Sequence, residues 1–121
     1  MAESATEAIA ENVAGLLCYV FGWITGLIFF LMDKRPFVRF HAAQSMVVFG
    51  GLSILYFILG RMFFGGFWAG GFGFFSLVGF VMEAAELLGL VLWVVLMVKA
   101  YQGVRYKVPV LGDIAENIAG R

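Results

Sequence analysis

Polar residues divide the chain into three long uncharged stretches separated by short charged breaks. Residues 13–32, VAGLLCYVFGWITGLIFFLM, are 20 positions without a charge. At 1.5 Å per residue such a helix is about 30 Å long, one bilayer core. Residues 33–41, DKRPFVRFH, form the first break, and Pro36 suits the first turn of a new helix. A second apolar helix is predicted from about Phe40 to Gly60. From Met62 to Met82 there follow 21 uncharged residues that include seven Phe and six Gly. Treating that stretch as a span would leave only Ala84–Val98, with Glu86 inside, for the next one. The pattern therefore predicts three spans, at about 13–32, 40–60 and 80–98. Residues 61–79 become an interfacial Gly/Phe-rich loop, with Phe63, Phe64, Phe67 and Trp68 among headgroups. The tail, 99–121, turns at Gly103 and Pro109 and ends in a short amphipathic segment, for which Asp113 is the expected N-cap.

Composition supports this single-domain, all-α membrane reading. Of 121 residues 63% are hydrophobic and 13% charged, and the mean hydropathy is +0.98. A soluble domain carries about 25% charged residues and could not hide this much apolar surface at this size. Eight basic and eight acidic residues cancel, which argues against a nucleic-acid partner. The start of the chain, with Ser4 and Glu7 at capping-box spacing, lacks the basic region of a cleaved signal peptide. Cys18 is the sole cysteine, so no intrachain disulfide forms.

Charge sets the expected orientation. On the three-span reading one side holds Lys34, Arg35, Arg39, Lys99, Arg105, Lys107 and Arg121, and the other only Arg61. The positive-inside rule then puts the first loop and C-terminus in the cytoplasm and the N-terminus outside the cytoplasmic membrane. The acidic residues Glu3, Glu7, Glu11, Glu83 and Glu86 fall on the outer side.

Few residues invite chemistry. Glu83 and Glu86 sit in the outer part of a span, where carboxylates are costly, and Arg61 is their expected ion-pair partner. Gly15, Gly22 and Gly26 fall on one helical face and predict close helix packing. His41, the only histidine, is expected to be hydrogen-bonded; an axial bond to a metal or porphyrin-type pigment is the sharper alternative. No metal-ligand spacing, phosphate loop or nucleophile motif occurs. Neither an enzyme activity nor a resident cofactor is expected, though bound lipid or pigment fits the composition. Membrane lipids and other membrane subunits are the expected partners.

The blocks NVAGLLCYVFGWITGLIFFL, FVRFHAAQS and LWVVLMVKAYQGVRYKVPVLGDIAE resemble a family of small bacterial and archaeal membrane proteins of unknown function. That family is related in pattern to the twenty-kilodalton Tic subunit of the chloroplast import translocon. The resemblance implies about three spans. It also implies a cytoplasmic cluster in which Phe37, Arg39, His41 and Gln44 face Lys99, Tyr101, Gly103 and Pro109, with Arg39 and His41 holding tail carbonyls. The expected function is that of an accessory or scaffold subunit of a larger membrane assembly. The alternative is a translocon-like or channel-forming homo-oligomer. On either reading a C-terminal fluorescent fusion is expected to fold in the cytoplasm. A phosphatase active at that position would overturn the orientation.

Overall fold

The computed structural model describes residues 9–69 and 71–120, and among these all regular structure is helical. Five helices follow one another: α1 Glu11–Val20, α2 Trp23–Met32, α3 Pro36–Ala69, α4 Phe72–Tyr101 and α5 Leu111–Ala119. The Ser4–Glu7 helix start and Arg121 lie outside the described residues.

The first apolar stretch is not one spanning helix. It breaks at Phe21 and Gly22, where Gly22 adopts φ 63°, a conformation that only glycine takes without penalty. Thr25 closes the turn, its hydroxyl donating to the carbonyls of Cys18 and Gly22 and accepting the Phe21 amide. Gly15 packs beside Phe37 and His41, Tyr19 bonds His41 and Gln44, and the Gly22 carbonyl accepts Ser45. The chain then reverses: Gly26 lies against Ala42 and Ser45, and the Phe30 carbonyl reaches Arg39. The two ten-residue helices, about 15 Å each, thus form a hairpin that enters along α3 and returns to the same end. Gly15, Gly22 and Gly26 do pack closely, but Gly22 is the bend itself.

The Gly/Phe stretch is also different from expectation. Instead of a loop over 61–79, α3 continues to Ala69 and α4 begins at Phe72, so only residues 70 and 71 lie between them. Glycine in a helix costs about 1 kcal/mol against alanine, whereas an unpaired amide in an apolar medium costs several. Apolar surroundings therefore favour the helix. The two long helices are antiparallel, with Leu52 against Gly89, Tyr56 donating to the Met82 carbonyl at 2.7 Å, and Phe63 against Gly79. Segments Pro36–Gly66 and Ser76–Tyr101 are long and apolar enough to cross a membrane. At about 51 and 45 Å overall, both helices exceed a bilayer core.

The core sits at one end of this pair. Ala14, Cys18 and Tyr19 of α1 pack with Val38 and Ala42 of α3 and Leu96 and Ala100 of α4. Helix α5 lays Ala115 and Ala119 on Phe40, Ala43 and Val47. It starts at Leu111 rather than after Asp113, and Asp113 instead pairs with Lys107 at 3.2 Å. Val110, just before it, has φ 67°, strained for a β-branched residue, and the Leu111 amide closes this tight turn on the Pro109 carbonyl. Beyond the core, the far half of the hairpin exposes large apolar side chains such as Phe57, Phe64 and Trp68.

A Cβ at Gly26 would stand 2.9 Å from the Ala42 carbonyl oxygen and Ser45 Cβ. Gly26→Ala is expected to destabilise the fold by about 1–3 kcal/mol in detergent thermal unfolding. Gly51→Ala, with open space around it, is expected to be neutral or to stabilise by up to about 1 kcal/mol.

Candidate functional site

The first half of α3 carries His41, Gln44 and Ser45, all fully buried, and each needs a partner because water cannot reach it. Gln44 Nε2 donates to the Tyr19 hydroxyl at 3.0 Å and to the Tyr106 carbonyl at 2.9 Å, while its Oε1 accepts the Val108 amide at 2.9 Å. That arrangement assigns the protons. The Tyr19 hydroxyl, accepting from Gln44, donates to His41 Nδ1 at 2.8 Å, and His41 Nε2–H donates to the Val104 carbonyl at 3.2 Å. The Tyr19 carbonyl accepts the Trp93 indole N–H at 2.6 Å. One polar knot thereby ties α1, α3, α4 and the tail. Among the described residues no buried side-chain nitrogen or oxygen lacks a partner.

Around the knot, His41 is ringed edge-on by Tyr19, Phe37 and Phe40. The aromatic rings keep the imidazole dry, and both its nitrogens are engaged, so an axial bond to a metal would require one of these hydrogen bonds to break. Cys18 is buried, with its thiol 3.8 Å from the Val38 carbonyl. Among the described residues no group of three His, Cys, Asp or Glu side chains is placed to hold a metal ion.

Of the expected cluster, Phe37 and Gly103 share a cleft, while His41 and Gln44 meet Val104, Tyr106 and Val108 of the tail. His41 holds the Val104 carbonyl of the tail. Arg39 does not: its guanidinium bonds the Phe30 carbonyl at 2.9 Å and stacks 4.0 Å over the Phe30 ring, fastening the end of α2. Gln44 takes the second tail contact instead. Gly103, at φ 79°, makes the turn after α4, and its neighbour Tyr101 gives its carbonyl to Asn12 at 3.0 Å. Phe37 and Gly103 face a cleft of about 270 Å³ with Glu11 and Asn12. Lys99 is the basic residue of the last turn of α4, and Pro109 is exposed. Lys107 bridges Asp113 and Glu116, which hold its ammonium above the usual lysine range. Arg35 pairs with the buried Asp33 at 2.8 Å.

The expected Arg61–Glu83–Glu86 ion pair is not formed. Arg61 lies over the Phe57 ring at 5.9 Å, while Glu83 and Glu86 line a pocket with Tyr56 on another face. Five residues of helix separate Tyr56 from Arg61, a rotation of about 140°, which turns the guanidinium away from α4. Tyr19 and Trp93 are the members of the knot that sequence reasoning missed. The one available signal was a hydroxyl at position 19 between Gly15 and Gly22, on the face those glycines mark.

Tyr19→Phe removes the donor to His41 and the acceptor for Gln44, and is expected to cost about 1–3 kcal/mol. Gln44→Leu strands the Val108 amide and should speed hydrogen exchange across residues 104–119 while leaving the α3–α4 contact unchanged. Slow, unchanged exchange there would show that the tail is held otherwise.

Comparison with known proteins adds a family. The magnetosome magnetite crystal formation protein family, MamF/MmsF, matches residues 4–115. The chain is 46% identical over 107 residues to the UPF0132 membrane protein MJ1443 of Methanocaldococcus jannaschii, covering 88% of this chain and 86% of that protein. A second protein of that organism, the UPF0132 membrane protein MJ1527, is 41% identical over 108 residues, covering 88% and 68%. A UPF0132 membrane protein of Archaeoglobus fulgidus is 38% identical over 112 residues, covering 91% and 96%. No solved structure matches. These relatives carry the small-membrane-protein part of the expected resemblance and lend nothing to its chloroplast-translocon part. With its two membrane-length helices and a family match over nearly its whole length, the chain is a membrane protein that belongs to the MamF/MmsF family.

Proposed function

We propose that the protein is a non-enzymatic membrane scaffold, an accessory subunit whose long helical hairpin packs against lipid and other membrane subunits. The observation that carries this reading is the contrast between the two ends. At the core end the buried polar side chains among the described residues are engaged in internal hydrogen bonds, which tie the helices and the tail together. Along the far half, α3 and α4 offer mostly apolar surface with few contacts inside the chain. Such a surface suits packing in a bilayer. The family's description, magnetite crystal formation in magnetosomes, is compatible with an accessory role of this kind. The chain would organise a membrane rather than perform a reaction.

Under this proposal two spans cross the cytoplasmic membrane and the α1–α2 hairpin re-enters without crossing. Asn12 bonds the Tyr101 carbonyl, so the start of α1 and the end of α4 share one end of the molecule. Lys34, Arg35, Arg39, Lys99, Arg105 and Lys107 belong to that end, against Arg61 on the far half. The positive-inside rule then assigns that end to the cytoplasm, including the N-terminus and Glu11.

Phosphatase fusions at either terminus are expected to be inactive, and one inserted between residues 70 and 71 active. An active fusion at the N-terminus would restore the three-span topology. Gentle solubilisation at native expression is expected to yield stoichiometric unrelated membrane subunits. A conducting assembly of this chain alone would favour the channel-forming alternative.

A further inference from the structure

We infer that a second copy of this chain docks on the far half of the α3–α4 hairpin, inserting its Arg61 into the pocket formed by Tyr56, Glu83 and Glu86. Arg61 lies within Pro36–Gly66, and Glu83 and Glu86 lie within Ser76–Tyr101, the two membrane-length segments. All three are exposed, and among the described residues no salt bridge engages any of them. Charges inside spans are costly and are found paired. They do not pair within one chain: Arg61 lies over the Phe57 ring, five positions and about 140° of helix on from Tyr56, while the carboxylates line the pocket with Tyr56 and Phe63.

The register makes pairing between chains natural. Leu52 opposite Gly89 and Phe63 opposite Gly79 place Arg61 within about one helical turn of the level of Glu83. Two copies inserted in the same direction therefore present the guanidinium within about one helical turn of Glu83 and within about two of Glu86. The pocket, about 290 Å³, is lined by Tyr56, Phe63, Gly79, Met82, Glu83 and Glu86. Aromatic walls with two carboxylates at the rim match a guanidinium in both charge and shape. On the donor side, Gly65 is one turn beyond Arg61 and has nothing within 4 Å of where its Cβ would stand. A neighbouring helix can approach closely there. Arg61 is the basic residue of this half of the hairpin, so the same chain supplies both members of the pair.

The test is energy transfer between donor- and acceptor-labelled full-length protein in phosphatidylcholine vesicles, over a range of protein-to-lipid ratios. Wild type is expected to transfer above the level of random proximity. Arg61→Glu alone, or Glu83→Arg with Glu86→Arg, is expected to weaken association about tenfold or more. Mixing the two variants should restore it, since each then offers the other opposite charges. Should a charge reversal fail to fold by circular dichroism, Arg61→Gln and the paired Glu→Gln variant are judged by the same loss. Random-level transfer by wild type, as when lipid headgroups satisfy these charges, would overturn the proposal. So would wild-type association of the variants, or failure of the folded mixture to recover.

Discussion

The architecture rests on one knot of hydrogen bonds, Tyr19–His41–Gln44, and on the rule that makes it obligatory. Away from water, a donor or acceptor left unpaired costs more than a pair contributes when made. Gln44 alone reaches α1 through Tyr19 and the tail at two places, Tyr106 and Val108. Because its amide is saturated, the proton positions on Tyr19 and His41 follow, and the tail can take one course over the bundle. Trp93 closes the set by fastening α4 to the turn-side end of α1. The segment after Gly103, which has little regular structure before α5, is thereby held to the core by side chains of α3.

The same rule governs the two places where hydropathy alone misleads. A run of 20 uncharged residues satisfies the length condition for a span whether it continues straight or folds back on itself. Gly22 and Thr25 decide the matter. Gly22 takes the backbone conformation that reverses the chain, and the Thr25 hydroxyl bonds the carbonyls left open by the break. Over residues 61–79 the abundance of glycine reads as a loop in water, where glycine's freedom favours one. Against apolar surroundings the balance reverses, since a loop would leave its amides unpaired.

Consequences for charge follow from the fold. The neutral total conceals two ends: a basic one around the knot, where several charges meet partners within the chain, and a sparse one where Arg61, Glu83 and Glu86 do not meet. Glu11 moves from the acidic outer group to the basic end because α1 begins beside Tyr101. The basic residues stay gathered at the knot end, with Arg61 on the far half, but Glu11 beside them narrows the net charge difference between the two ends.

Composition, the absence of charge over long stretches and the FVRFHAAQS block were enough to establish an apolar helical protein whose polar motif lies at a helix start. Apolar length and charge spacing are local properties, and they carry that much directly. Sequence also marked Gly15, Gly22 and Gly26 as contact points, and the family resemblance implied that His41 and Gln44 face the tail. It could not say that Gly22 is the bend itself, that Arg39 serves α2 while Gln44 serves the tail, or that Tyr19 and Trp93 complete the knot. Those roles depend on which groups meet across 22 to 74 residues of chain, and no local pattern encodes such a meeting. The unformed Arg61–Glu83–Glu86 pair has the same origin. Sequence placed all three toward the outer side, and only the rotation of α3 against α4 set them on different faces.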